Sequence, residues 1–481
     1  MARPSAREAF RARIAHMKSL ALATAALAFA GSVAVLAQPG LDPTAALLQD
    51  IIKIDTSNPP GHEGAVDELL ASRLRPLGFD ITIVPTPEAG KSHLIARLKG
   101  DGSKRPVLLA AHADVVGVER EKWSVDPFAG VISDGHVYGR GAIDFKGGMA
   151  VFARAVMQLA ERKVPLARDV IFLVEADEEA AQYNTTWLAQ THWSEMDAEF
   201  ALNEGGWIIA DDDGRVKYVS ISTADKSSIA VLVTAKGTST HSSMPRPDNP
   251  IFTLAKALTR LSTYEAPLQL TPETKQFLSV LAKTSAPPLS TYYQTLLTSH
   301  DTAAIAAADR EISKDPLMHA IIRNTIAPVI VNGGFRSNVI PGSADVILNV
   351  RAIPGTDPKD VVADLEKVIA DPNVSVRLAN PSAGPSRANA SPQDTELYKA
   401  LARNAKATFP GAEVTPYLFQ AGTDAGAWRN RGVPVYGIYP YPITAEELTR
   451  MHGNDERVSI ESLRLGTEMI FKTLVDVAGR K

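Results

Sequence analysis

The stretch 107-VLLAAHAD-114 is a short apolar run that ends in a histidine and an aspartate. Similar runs follow at 170-VIFLVEA-176 and 199-EFAL-202. Between the first two, apolar residues recur at the spacing of one helix face: Met149, Phe152, Val156 and Leu159. Buried strands that alternate with amphipathic helices are typical of a parallel sheet with helices on both faces. The sequence therefore predicts a doubly wound α/β fold with a mostly parallel sheet.

The pattern changes after about residue 225. The next predicted elements alternate as strand, helix, strand, strand, helix, strand, over 227–237, 249–264, 327–331, 344–351, 358–370 and 374–379. This order is that of a ferredoxin-like α+β domain. A helix at 396–408, a strand at 433–439 and a helix at 459–478 then resume the first pattern.

A smaller domain is therefore predicted to interrupt a larger one. We place the smaller domain at 225–380, with a helical insertion at about 265–324 that is longer than a simple connection needs. The two parts of the larger domain are 38–224 and 381–481.

Composition excludes several classes of protein. Of 481 residues, 45% are hydrophobic and 22% charged, so the chain can bury a large core. The net charge is −4 and no basic stripe occurs, which argues against nucleic acid as a partner. Because the chain has no cysteine, any metal must be bound by histidine and carboxylate side chains.

The N-terminal segment resembles an export signal. Five basic residues before residue 19 precede a small-apolar run over 19–37. This arrangement predicts a signal peptide over 1–37, cut after Ala37, and hence a periplasmic or secreted protein that leaves the membrane after cleavage. An uncleaved N-terminal membrane anchor is the alternative, since the run is just long enough to span a bilayer.

Acidic and imidazole side chains follow one predicted strand after another. They are His112 and Asp114, Asp144 after a glycine-rich turn, Glu178 and Glu179, Glu204, and His452. Each alone has an ordinary structural explanation as a surface or core-edge residue. Because the carboxyl ends of parallel strands meet at one edge of a sheet, their repetition predicts a two-metal site there.

Six motifs containing these residues resemble a known family. They are AHADVV (111–116), YGRGAIDFKGG (138–148), DEEA (177–180), NEGG (203–206), THSSMP (240–245) and MHGNDER (451–457). Together they resemble the di-zinc amidohydrolases and exopeptidases, which include carboxypeptidase G, aminoacylase and succinyl-diaminopimelate desuccinylase. The last two motifs and the long insertion most resemble the Gly-X carboxypeptidase and N-acyl-amino-acid hydrolase branch.

The resemblance implies a role for each metal-site residue. His112 and Glu204 would bind one Zn²⁺, Glu179 and His452 the second, and Asp144 would bridge the two ions. Asp114 would orient His112 through its other ring nitrogen. Two zinc ions would generate the attacking hydroxide, with Glu178 as the general base.

The resemblance also implies substrate contacts. His241 would supply an oxyanion donor, often from the other subunit of a homodimer formed through the smaller domain. Arg351 would bind a substrate carboxylate, with Asn338, Gly422 and Thr423 as further binding elements. A solvated loop histidine, an exposed strand-edge arginine and an ordinary turn remain alternative interpretations.

These implications predict a hydrolase that cleaves an amide or peptide bond next to a free carboxylate, in a small peptide or an N-acyl amino acid. The alternatives are an aminopeptidase and a non-catalytic binding protein of the same fold. Asn203, Thr240 and the missing Gly-Gly after Glu179 depart from the family pattern, but they leave the ligands and the base in place.

We interpret six further histidines as structural and 211–214 as a hairpin turn. Those histidines are His62, His93, His136, His192, His300 and His319.

Overall fold

The computed structural model describes residues 40–180, 182–381 and 390–480. The predicted signal peptide at 1–37 lies outside these residues. Asp42–Lys481 form one compact unit. Within the described ranges, no helix is both long enough and apolar enough to cross a membrane.

The strands are β1 (Asp80–Pro85), β2 (Ser92–Leu98), β3 (Val107–His112), β4 (Val131–Ser133), β5 (His136–Tyr138), β6 (Val170–Glu175), β7 (Phe200–Asn203), β8 (Ile208–Ala210), β9 (Val216–Asp225), β10 (Ser227–Lys236), β11 (Thr240–His241), β12 (Thr325–Asn332), β13 (Val339–Ile340), β14 (Ser343–Ala352), β15 (Val374–Leu378), β16 (Glu413–Phe419), β17 (Val435–Gly437), β18 (Pro442–Thr444) and β19 (Arg457–Ser459). The helices are α1 (Pro43–Ile52), α2 (Glu63–Leu74), α3 (Lys146–Glu161), α4 (Thr185–Thr191), α5 (Trp193–Met196), α6 (Pro250–Leu261), α7 (Pro272–Thr284), α8 (Leu289–Thr298), α9 (Thr302–Ile312), α10 (Pro316–Ile321), α11 (Pro358–Ile369), α12 (Glu396–Thr408), α13 (Gly426–Arg429), α14 (Ala445–Leu448) and α15 (Ile460–Ala478).

A ten-stranded sheet forms the larger part of the molecule. Its order is β1-β2-β6-β3-β7-β17-β9-β8-β18, and β16 pairs with β9. The central strands β6, β3, β7 and β17 run parallel, whereas β1 and β2 form an antiparallel edge. The predicted parallel centre is therefore confirmed. The predicted strand at 433–439 is shorter in the structure and comprises β17 alone.

Helices cover both faces of this sheet because its central strands are apolar on both sides. All six residues of β3 and of β6 are buried. Leu108 and Ile171 pack toward α4 and α13 in one apolar cluster. Helix α3 contacts β3 and β6, and α15 packs on α3. This sandwich holds the carboxyl ends of the parallel strands at a common edge.

The smaller sheet has the order β12-β14-β10-β15, and all its pairs are antiparallel. Helices α6 and α11 contribute Leu254, Ala257 and Leu365 to its apolar core. The predicted ferredoxin-like arrangement is confirmed. The boundaries of the two domains stay predictions, because contacts group Asp42–Lys481 together.

The predicted insertion consists of helices α7 to α10. Phe277 of α7 lies between Tyr218 of β9 and Tyr417 of β16, with ring centroids 5.3 and 5.0 Å away. The insertion therefore packs on the large sheet, although it lies in the chain between two elements of the smaller sheet.

Candidate active site

The predicted metal ligands converge at one edge of the large sheet. His112 is the last residue of β3, and Glu204 follows β7 directly. Glu179 lies four residues after β6. Asp144 lies two residues before α3, and His452 lies in the loop before β19. Their donor atoms form two clusters that share Asp144.

The first cluster, which we call the inner group, comprises His112, Asp144 and Glu204. His112 Nε2 lies 3.2 Å from Asp144 Oδ1 and 3.5 Å from Glu204 Oε2. The side chains of His112 and Glu204 are only 2% and 5% exposed. The donor atoms lie within 4.8 Å of one another, as a single coordinated cation requires.

The second cluster, the outer group, comprises Asp144, Glu179 and His452. His452 Nε2 lies 3.1 Å from Asp144 Oδ2 and 3.0 Å from Glu179 Oε1. Its side chain is 46% exposed. Asp144 thus directs one carboxylate oxygen to each group, which is the arrangement expected of a bridging ligand.

The electrostatics of both groups favour bound cations. Although burial opposes it, the carboxylates of Glu204, Asp114 and Asp144 raise the pKa of His112 well above its usual value. Burial and Asp144 raise the pKa of Glu204 to about 7. Hydrogen bonds to Asp144 and Glu179 raise the pKa of His452 to about 10. Imidazole nitrogens that face this many carboxylate oxygens need either protons or metal cations between them, so the donor set fits divalent metals.

Glu178 adjoins the outer group but belongs to neither cluster. Its side chain is half-buried, and no described residue donates a hydrogen bond to its carboxylate. Burial and the neighbouring Glu204 raise the pKa of Glu178 well above its usual value. A carboxyl group with a raised pKa holds a proton more readily than an ordinary glutamate does, which suits a residue that must carry one.

Asp114 holds the loop that carries Glu178 and Glu179. Its carboxylate accepts hydrogen bonds from the backbone N–H groups of those two residues at 3.1 and 3.0 Å. The carbonyl of Asp114 lies 3.0 Å from His112 Nδ1, closer than its carboxylate at 3.6 Å. Asp114 therefore orients His112 chiefly through its backbone, leaving His112 Nε2 directed at the inner group.

His241 and Asn338 lie together but apart from the two metal-ligand groups. Strands β11 and β13 pair, and Ser242 N–H donates to the Asn338 carbonyl at 3.0 Å. His241 is exposed, its Nδ1 hydrogen-bonds Ser243 at 2.8 Å, and it belongs to neither ligand group. The single chain therefore does not bring His241 to the metal ligands.

Arg351 lies in β14, an inner strand that pairs with both β10 and β12. The strand-edge interpretation is therefore wrong. Its half-buried guanidinium makes no hydrogen bond or ion pair with a described residue. A Cβ atom placed on Gly422 would lie 3.5 Å from Arg351 Nη1. The next residue, Thr423, instead donates its hydroxyl to Asp225 Oδ2 at 2.7 Å.

The turn beside Arg351 also reaches toward the inner group. The carboxyl group of Asp424 lies close to that of Glu175, and Glu175 pairs with His112 across β6 and β3. Arg351 and the inner group are thus connected through this turn.

Tyr439 is a site residue that sequence reasoning missed. Its buried hydroxyl lies 3.0 Å from Asp144 Oδ1 and 2.9 Å from Glu204 Oε2. Its ring stacks on Trp207 at 4.3 Å. The sequence feature that indicates its role is its position after β17, a central parallel strand, but a tyrosine at this position is equally typical of the apolar core.

A third acidic cluster consists of Glu63, Asp177 and Asp114, the residue that holds the loop of Glu178 and Glu179. Lys91 Nζ donates to Asp177 Oδ1 at 2.6 Å, and Asn58 Nδ2 donates to both Asp114 and Asp177 at 2.8 Å. Lys91 already supplies positive charge here, so this cluster differs from the two groups around Asp144.

The six histidines interpreted as structural have other surroundings. The two metal-ligand groups contain none of them. His93 is buried, with Nε2 at 2.8 Å from the Tyr183 carbonyl and Nδ1 accepting from Ala176 N–H at 3.2 Å. Residues 211–214 form the hairpin turn between β8 and β9, as predicted.

Comparisons with known proteins point to one family. The model of peptidase family M20/M25/M40 matches residues 108–476. The N-fatty-acyl-amino acid synthase/hydrolase PM20D1 of Homo sapiens is 29% identical over 388 residues, covering 80% of this chain and 76% of the human protein. Succinyl-diaminopimelate desuccinylase of Rhodospirillum centenum is 36% identical over 229 residues, covering 45% of this chain and 56% of that protein.

A solved structure shows the same fold. The M20 family metallo-carboxypeptidase from Sulfolobus solfataricus superposes with a TM-score of 0.67 and 18% identity, covering 91% of this chain and 99% of that chain. The family model spans well over half of the sequence and includes all five candidate ligands. The chain therefore belongs to the M20/M25/M40 peptidase family and is a hydrolase of that family.

Proposed function

We propose that this enzyme hydrolyses an amide or peptide bond next to a free carboxylate, in N-acyl amino acids or small peptides, with two zinc ions per chain. The observation that carries the proposal is Asp144, whose two carboxylate oxygens face separate histidine-containing groups. The names of the relatives agree, since one acts on N-fatty-acyl amino acids and another removes a succinyl group from diaminopimelate.

The inner group would hold one ion and the outer group the other, with Asp144 shared. Zinc suits a donor set of imidazole and carboxylate without thiolate. When bound, the two ions would polarise the scissile carbonyl and lower the pKa of the attacking water. Tyr439 keeps Asp144 and Glu204 in place through its hydroxyl.

Glu178 would move the proton. Its carboxylate is not engaged by other described residues, and its loop is fixed by Asp114. Glu178 accepts a proton from the attacking water and returns it to the leaving amine, as its raised pKa allows.

Arg351 would select the substrate by its carboxylate. An unpaired, half-buried guanidinium is suited to bidentate contact with a carboxylate. Gly422 leaves space beside it, and Thr423 fixes the turn. An aminopeptidase would need an anionic group at this position for the substrate amine.

His241 and Asn338 would complete the oxyanion site in a homodimer. Strand β12 is an edge of the smaller sheet, and Val329, Ile330 and Val331 are 56%, 51% and 60% exposed on it. An apolar edge strand of this kind favours pairing with another chain. Light scattering on Ile330→Lys tests the homodimer, since the variant should be monomeric and the wild type dimeric.

For localisation, we propose export by the segment at 1–37, to the periplasm or the medium. The support is the basic and small-apolar pattern of that segment. N-terminal sequencing of the exported protein would find residue 38 first, whereas an intact N terminus would indicate an anchor.

The proposed activity is tested with matched substrates. Purified, zinc-loaded enzyme should hydrolyse N-acyl amino acids or dipeptides with a free carboxylate and lose activity on their carboxamide analogues. Hydrolysis of carboxamides that depends on a free substrate amine would instead indicate an aminopeptidase.

A further inference from the structure

Arg140 and Glu456 lie in the two sequence motifs that supply Asp144 and His452, yet they belong to neither ligand group. They form an ion pair in the protein interior. Arg140 Nη1 donates to Glu456 Oε2 at 2.7 Å, and the side chains are 3% and 0% exposed. A buried ion pair is costly unless its remaining hydrogen bonds are satisfied, so the other partners of the pair indicate what it does.

The carboxylate of Glu456 binds the backbone that leads to Asp144. Its oxygens accept hydrogen bonds from the N–H groups of Gly141, Ile143 and Asp144 at 3.1, 2.7 and 3.1 Å. Together with Arg140, one carboxylate therefore fixes four donors on a single loop. The position from which the Asp144 side chain projects depends on this carboxylate.

Arg140 binds the other loop. Its Nη2 donates to the His452 carbonyl at 3.3 Å, and its guanidinium lies 5.3 Å from the Trp123 ring. His452 has φ of +58°, a left-handed conformation that a residue with a Cβ rarely adopts. A loop in this conformation needs external contacts to hold it, and Arg140 supplies one at the same residue.

We propose that Arg140 and Glu456 are positioning residues that fix Asp144 and His452 relative to each other and thereby set the metal affinity of the outer group. The inference rests on the proposed two-metal function. The contacts of the pair lead to two of the three outer-group ligands, Asp144 and His452, but to only one of the three inner-group ligands, the shared Asp144. Loss of the pair should therefore weaken the outer ion more than the inner one.

The test is a zinc titration of chelator-stripped, full-length protein against a competing chromophoric chelator. Arg140→Lys keeps the charge but loses the forked geometry, and Glu456→Gln keeps the shape but turns an amide toward backbone N–H groups. Each should lower the affinity for the outer-group zinc, the more weakly bound of the two, about 10- to 100-fold, the range for residues that orient metal ligands, and should lower the affinity for the inner-group zinc by a smaller factor.

Arg168→Lys is the matched control. Arg168 is also buried, donates to Glu199 at 2.7 Å and to the Arg105 carbonyl at 3.1 Å, and lies 4.9 Å from the Phe200 ring. It precedes β6 at the end away from the site, about 20 Å along a six-residue strand. This control should lower the melting temperature of the metal-free protein comparably and leave both zinc affinities unchanged.

Two results would overturn the positioning role. One is wild-type affinity for both ions in Arg140→Lys, which remains informative even if Glu456→Gln does not fold. The other is an equal loss of affinity in Arg168→Lys, which would show a general effect of stability. A wild-type chain that takes up fewer than two zinc ions would contradict the proposed two-metal site instead.

Discussion

The inner and outer groups share Asp144, but the fold holds their other members in different ways. His112 and Glu204 stand at the ends of buried central strands and are almost inaccessible. Glu179 and His452 lie in loops, and His452 is 46% exposed. The inner half of the site is therefore preorganised by the sheet, whereas the outer half depends on contacts such as those of Asp114 and Arg140. Substitutions in the two groups should therefore have different consequences.

Asp144→Asn should have the largest effect, because both groups lose a charged ligand. We expect catalytic activity to fall about 10⁴-fold or more, since each cation contributes several kcal/mol to the transition state. Metal content measured on the purified variant should fall at both sites. Asp211→Asn in the β8–β9 turn is the control and should retain both metals. Two bound metals and full activity in Asp144→Asn would show that Asp144 is not a shared metal ligand.

Glu178→Gln should separate proton transfer from metal binding. We expect kcat to fall about 10²- to 10⁴-fold, the usual contribution of a general base. The zinc content should stay at the wild-type value, because Glu178 belongs to neither group. Loss of zinc together with activity would assign Glu178 to the outer group.

His112→Ala and His452→Ala should differ in stability. In chelator-treated protein, removing buried His112 leaves the carboxylates of Asp144 and Glu204 without their partner, and the free energy of unfolding should fall by about 3 kcal/mol. Removing half-exposed His452 should cost less than about 1 kcal/mol. Denaturant titration compares the two, and equal losses would contradict a more rigid inner group.

Arg351→Ala should raise KM about 10- to 100-fold for substrates with a free carboxylate, since a charged hydrogen bond contributes about 1.5–3 kcal/mol. Carboxamide analogues should show no further loss. Arg377→Ala, on exposed β15 of the same sheet, is the matched control and should leave KM unchanged. If both variants behave alike, Arg351 does not contact the substrate.

The smallest effect concerns the loop that carries Glu179. Burial lowers the pKa of His93 to about 4 from an ordinary value of 6.5, so folded His93 stays neutral while the unfolded chain takes up a proton. Its contribution is therefore intact above pH 6.5 and is lost as the pH falls toward 4. Between pH 7.5 and 5.5, protonation of His93 in the unfolded chain should lower the free energy of unfolding by about 1 kcal/mol. His93→Gln should show a flatter pH dependence, and an identical one would exclude this role.

The sequence predicts the central strands of the large sheet, which carry the inner group, better than it predicts the strands beyond them. Strands β3 and β6 are continuous apolar runs, which indicate burial on both faces, and the ligands follow their ends. Strand β9 was missed because it buries Ser220, Ser222 and Thr223, whose polar side chains do not read as core. The pairing of β9 with β16 depends on chain closure over nearly two hundred residues, which local pattern does not reveal.

The supporting contacts of the site were equally hidden. Tyr439, Lys91 and Glu456 act through hydrogen bonds to residues far away in the chain. Glu456 lies in the MHGNDER motif, but its neighbours in the sequence do not distinguish a buried glutamate that binds backbone N–H groups from a solvated one. The ligands themselves were accessible to prediction because their residue types and positions after strands carry the chemistry directly.

The most direct test of the shared Asp144 is anomalous diffraction from crystals grown with zinc. We expect two peaks, one between His112 and Glu204 and the other between Glu179 and His452, with Asp144 contacting both. A single peak, or a peak at the Glu63, Asp114 and Asp177 cluster, would contradict this expectation.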